Sequence, residues 1–81
     1  MKTMTCRQLG GACDLAHDGD DANDVIKAQD IHLRTAVAEG HADHEPALAA
    51  MKGRWKRPVS GIKWYRQVQR DFAAQPERMG A

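Results

Sequence analysis

Apolar positions recur at three-to-four spacing through the first half of the chain: Val25, Ile26, Leu33, Ala36 and Val37, with Gln29 and His32 in the same stripe. The pattern predicts a helix over about 22–39. Asp21 stands at its N-cap, with Asp24 three residues on in a weak capping box. Gly40 occupies the place of a C′ glycine, and Asp20, Asp21 and Asp24 suit the positive end of the helix dipole. His32 therefore lies inside the apolar stripe and not on the wet face. A polar connection over 41–45 leads to Pro46, a good opening residue for a second helix over 46–55. Leu48, Met51 and Trp55 share one side of that helix. Pro58 bounds it, and 56–61 reads as a loop. A third helix is expected over 61–74, with Tyr65, Val68 and Phe72 as its stripe, Ile62 extending it and Pro76 ending it. Trp64 lies off that stripe. Residues 76–81 are expected to fray.

Upstream of these helices, two short segments, 3–9 and 12–17, flank Gly10-Gly11. A Gly-Gly pair suits a two-residue hairpin turn, whose central positions need positive φ. In that register Leu9 faces Ala12, Gln8 faces Cys13, and Cys6 faces Leu15. Cys6, Gln8, Cys13 and Leu15 share one face of the ribbon, and the two cysteines become diagonal neighbours. A shift of one residue would send them to opposite faces. The expected fold is α+β: an N-terminal β-hairpin followed by three helices, with a ββα zinc-finger-like core.

Size makes the two cysteines matter. A chain of 81 residues forms one domain, expected over 1–75, and its core is thin. Trp55, Trp64, Tyr65 and Phe72 are its only Trp, Tyr and Phe residues and all fall in the last third. Small domains in this position often add disulfides or a metal. Residues 1–6 show no apolar signal stretch, and no run reaches the length of a membrane span, so cytoplasm is the expected compartment. In a reducing compartment two close thiols point to metal or redox chemistry before a structural disulfide.

The soft donors are Cys6, Cys13, His17, His32, His41 and His44. Their spacing is not a standard zinc spacing. Two cysteines on a hairpin followed by a helix with an inward histidine nonetheless follow the logic of a ββα zinc site, in which thiolates and neutral imidazoles surround the ion. Such an ion also supplies folding free energy. Reach bears on the fourth ligand. From His32 to Gly40 the helix carries the chain away by about 12 Å. The four residues from Gly40 to His44 can return about 13 Å if extended. His44 can just reach back, and His41 cannot unless the helix stops early. His17 shares a strand face with Cys13 and competes for the fourth place, as do water or an acid. The plainer readings are that the cysteines are inert buried hydrophobes and that His32 is a packed core residue.

The run Met4-Thr5-Cys6-Arg7-Gln8-Leu9-Gly10-Gly11-Ala12-Cys13-Asp14 resembles the opening of a family of short bacterial and archaeal proteins, the predicted small metal-binding proteins of unknown function. Further similar segments are Asp24-Val25-Ile26-Lys27-Ala28-Gln29-Asp30 with His32, His44-Glu45-Pro46-Ala47-Leu48, Met51-Lys52-Gly53-Arg54-Trp55-Lys56 and Ser60-Gly61-Ile62-Lys63-Trp64-Tyr65, then Arg70-Asp71-Phe72. The resemblance covers about residues 1–74. It implies metal binding through Cys6, Cys13, His32 and His44. The expected ion is zinc, with iron as the alternative. Shorter members place their second histidine one turn after the first, where this chain has Ala36, and members often carry Phe where it has His17. The family brings no reaction or pathway.

Charge is segregated. Residues 14–45 hold nine acids against Lys27 and Arg34, whereas 46–73 hold seven bases against Asp71. Part of this basic stretch, Lys52, Arg54, Lys56, Arg57, Lys63 and Arg66, interleaves with Trp55, Trp64 and Tyr65. That pattern opens the rival reading of a nucleic-acid-binding module, bases neutralising phosphates and aromatics stacking on nucleobases. The plainer reading is intramolecular attraction or a solvated face, with the aromatics in the core. A homodimer through the third helix, with Trp64 exposed, is the alternative to a monomer. Catalysis has no motif: nothing supplies a base for a cysteine nucleophile, and Cys-x6-Cys is not the redox Cys-x-x-Cys arrangement.

Overall fold

The computed structural model describes residues 1–77. It is α+β, with strands β1 (Lys2–Thr5) and β2 (Ala16–Gly19), helix α1 (Ala22–Ala38), a single 3-10 turn (Ala42–His44), and helices α2 (Glu45–Lys56) and α3 (Pro58–Ala74). The expected fraying segment falls partly on 78–81, outside the described residues. No described helix is long and apolar enough to cross a membrane.

β1 and β2 are antiparallel, with Lys2 opposite Gly19 and Met4 opposite His17. Carried inward, that register sets Cys6 opposite Leu15, as expected, and the Cys6 N–H donates to the Leu15 carbonyl at 2.8 Å. The strands themselves stop short of the expected 3–9 and 12–17. Thr5 and Gln8 form a reciprocal cap: the Gln8 N–H donates to Thr5 Oγ1, and the Thr5 N–H donates to Gln8 Oε1. One helical turn follows. It closes where the Gly11 N–H donates to the Cys6 carbonyl and the Gly10 N–H to the Arg7 carbonyl, with Gly10 at φ +97°. Of the Gly10-Gly11 pair only Gly10 has positive φ, so the link is a capped helical knuckle and not a type I′ hairpin turn. Gln8 and Leu15 are consequently exposed and do not share a buried face with the cysteines.

α1 forms as its pattern predicts. The Asp21 side chain accepts from the Asp24 N–H. At its end the His41 N–H reaches back to the Ala36 carbonyl across Gly40 at φ +91°. α3 begins three residues earlier than expected. Pro58 opens it instead of bounding a loop, because a proline at N1 gives up no helical hydrogen bond. The residue before it, Arg57, is extended, as a pre-proline residue prefers.

Two apolar clusters make the core. Met4, Leu9, Ala22, Val25, Ile26, Val68 and Phe72 form the first. Cys6, Leu33 and Met51 form the second, flanked by Cys13, Ala47 and Leu48. Trp64 packs against both, with the Arg54 guanidinium 4.1 Å from its ring centroid. Trp55, expected beside Met51, is instead 67% exposed, in a run of exposed residues from 55 to 60 where α2 gives way to α3.

Candidate metal centre

Cys6 and Cys13 sit at the start and just past the end of the knuckle, His32 is midway along α1, and His44 ends the 3-10 turn before α2. One donor atom from each of these four residues lies within 4.8 Å of all the others. A tetrahedral ion with metal–sulfur bonds of about 2.3 Å and metal–nitrogen bonds of about 2.0 Å has ligand–ligand edges of roughly 3.3–3.8 Å. The Cys13 Sγ to His32 Nε2 distance, 3.3 Å, is already of that size. The rings of His32 and His44 meet edge to face with centroids 5.1 Å apart.

His44 carries the clearest sign that the cluster is built to receive something. Its Nδ1 lies 2.8 Å from Asp43 Oδ1, which assigns the proton to Nδ1 and leaves the lone pair on Nε2. That Nε2 is buried with no hydrogen-bond partner among the described residues. An orphaned buried acceptor is costly, and an ion among the four donors would satisfy it. The same bond holds the exposed Asp43 carboxyl below the usual carboxylate range. For an ion held by this cluster, Asp43→Ala is expected to weaken binding about 10–100-fold, because a metal-bound imidazole loses its orientation with its outer partner. Competition with a chromophoric chelator measures this, and an unchanged affinity would remove Asp43 from the site.

The remaining electrostatics suit a cation. Burial first, then the neighbouring His44, His17 and His41 rings, push His32 below the ordinary histidine range, so it is a neutral imidazole at pH 7. A hydrogen bond with the Leu15 backbone favours the Cys13 thiolate, but burial and the adjacent Cys6 thiol outweigh it and raise the thiol above its ordinary range. Both cysteines are free. Without an ion the pair is protonated at neutral pH on the Cys13 side; a bound cation reverses that balance.

His17, weighed as the fourth ligand, is buried and turned elsewhere. Its Nε2 lies 2.7 Å from Gln29 Oε1. Gln29, fully buried, directs its amide N–H to the Cys6 sulfur and the Cys6 carbonyl, each at 3.3 Å. His17 thus sits behind the cluster and orients Gln29. His41 stays exposed beside Glu39. The connection to His44 does not run extended, as the reach estimate pictured. The reversal at Gly40 folds it back along α1, and the side chains cover the rest.

Gly11 completes the cradle. A Cβ there would overlap the Cys6 sulfur and stand 2.9 Å from Gln29 Nε2. In the sequence pattern Gly11 is a turn residue, Gln29 a stripe position and Asp43 part of a polar connection. The adjacent Asp43-His44 pair was the one signal that could have found an outer partner. No protein-family model, curated protein or solved structure matches the chain.

Of the basic residues, Lys52, Lys56, Arg57, Lys63 and Arg66 are exposed, while Arg54 is half-buried on Trp64. They form no part of the cluster.

Proposed function

We propose that this protein binds one zinc ion through Cys6, Cys13, His32 and His44, and that the ion is mainly structural. The observation that carries the reading is the convergence within 4.8 Å of four soft donors from three separate segments of the chain. The resemblance to the small metal-binding family, carried by the Cys6–Cys13 run and by His32 and His44, supports the same ligand set. Two thiolates balance the charge of a divalent ion, and two imidazoles complete a tetrahedron. Zinc suits mixed sulfur and nitrogen donors, with iron as the alternative. The ion would tie the knuckle to α1 and to the start of α2. In this reading four protein donors fill the coordination shell, so the site binds and does not catalyse, and the cytoplasm is its compartment.

Elemental analysis and native mass spectrometry of untagged protein test the proposal. One zinc per chain is expected. A folded protein that carries no metal and takes up none would overturn it.

A second reading has one observation in its favour. Trp55 stands exposed between Lys52, Lys56 and Arg57. An exposed ring among bases is what a single-stranded nucleic-acid surface uses. Its test is oligonucleotide binding that weakens with salt and is lost in Trp55→Ala.

A further inference from the structure

The two sulfurs of the cluster are unequal. Cys6 is 0% exposed. The Gln29 amide N–H bonds its sulfur at 3.3 Å, and Gln29 is fixed from behind by His17 at 2.7 Å. Gly11 covers the same sulfur so closely that no Cβ fits. Cys13 is only partly buried, on the loop between the knuckle and β2, and its neighbour in the cluster, His32, is partly exposed as well. Both residues that follow it, Asp14 and Leu15, are exposed. The cluster is therefore sealed on the Cys6 side and open to solvent on the Cys13 side.

We infer that Cys13 is the reactive sulfur of the site, the position at which a soft carbon electrophile modifies this protein, and that its modification releases the bound ion. The inference rests on the zinc reading for the release step alone; the inequality of the sulfurs stands on burial and hydrogen bonding. A thiolate bound to a metal still carries electron pairs that can attack carbon. With an alkyl iodide, a Cys13 pair forms the new sulfur–carbon bond while iodide departs with the carbon–iodine pair. The product is a neutral thioether, a weaker donor than the thiolate, and the ion is left with Cys6 as its one thiolate. At Cys6 the same attack is hindered twice. The electrophile has no path to the sulfur, and the amide hydrogen bond withdraws the electron density that would react.

The test uses full-length protein loaded with zinc and assayed for stoichiometry beforehand. It is treated with iodoacetamide, quenched over time and digested with trypsin. Cleavage after Lys2, Arg7 and Lys27 puts Cys6 in the peptide 3–7 and Cys13 in 8–27, so the two are counted separately. A chromophoric chelator follows zinc release in a parallel sample. At early times, before the ion is released, Cys13 is expected to be alkylated at least about tenfold faster than Cys6, as an accessible thiol is against a buried one. Zinc release should follow the Cys13 time course. Unfolded protein in urea with chelator should label both at similar rates, which assigns the difference to the fold. Equal rates in the folded protein, Cys6 labelled first, or both labelled together at the rate of global unfolding would each overturn the inference. Failure of the zinc reading shows separately, as absence of metal at the start, and the labelling order is then read on the metal-free protein.

Discussion

Cys6→Ala and Cys13→Ala are expected to leave the protein without metal and without a cooperative melting transition. A chain of 81 residues has a total stability of about 4–12 kcal/mol at typical values per residue. A structural zinc ion contributes an apparent binding free energy of about 10–16 kcal/mol in small domains. Where the ion contributes on that scale, its loss consumes the whole margin. The geometry agrees. The second apolar cluster consists of Cys6, Leu33 and Met51, two full-sized hydrophobes and one of the four soft donors. Without the ion, that cluster must hold the knuckle, α1 and α2 together while leaving the buried His44 Nε2 unpaired. Chelation of the wild-type protein should have the same effect as either substitution, and returned zinc should restore the fold. Circular dichroism melts with elemental analysis check all three. A Cys13→Ala protein that keeps the wild-type melting temperature and metal content would refute the site.

Local signals in the chain were enough to place most elements, and the places where they were not enough have identifiable causes. Asp21, Asp24 and Gly40 bound α1 through short-range hydrogen bonds, which a sequence shows directly. The Cys6–Leu15 register was legible because it follows from where the reversal is centred, between Gly10 and Gly11, whatever its internal shape. The shape itself differs from the expected hairpin turn. Thr5-x-x-Gln8 is a capping signature, but it lies within a segment that also has the pattern of a strand, and the Gly-Gly pair suits a hairpin turn equally well. Trp55 and Trp64 exchanged places for a different reason. A single periodic stripe describes a helix with one neighbour. α3 packs against both apolar clusters, Tyr65, Val68 and Phe72 with the first and Trp64 against both. Cys6, Cys13 and His32 could be chosen from the sequence because cysteine and histidine are rare and their chemistry is specific, while the fourth place stayed open between His44, His17 and water or an acid. The residues that support them could not. Gln29, Gly11 and Asp43 acquire their roles only from contacts across the fold: Gln29 N–H on a sulfur 23 residues away, Gly11 as space beside it.

Gly11→Ala is expected to cost zinc affinity about 10–100-fold, the range seen when partners of metal ligands are lost, or to prevent loading altogether. Backbone strain is not the cause, since Gly11 has no positive φ. The cause is volume. The new methyl would overlap the Cys6 sulfur, press on Gln29 Nε2 at 2.9 Å and meet the Cys6 carbonyl oxygen at 3.0 Å. The backbone cannot retreat, because the Gly11 N–H is held by that same carbonyl at 2.8 Å. Relief therefore moves the sulfur, moves the amide that bonds it, or opens the knuckle, and each of these displaces Cys6 from the other three donors. The adjacent substitution separates this effect from general damage to the turn. At Gly10 the backbone has φ +97°, and a Cβ would meet only Arg54 Nη2, at 3.8 Å. Gly10→Ala should lose about 1–2 kcal/mol of stability to left-handed strain while keeping one zinc per chain. Chelator competition and thermal melts on the two variants read the contrast. Gly11→Ala with wild-type zinc affinity would show that the Cys6 sulfur is free to move, and the close approach of Gly11 would then have no part in holding the site.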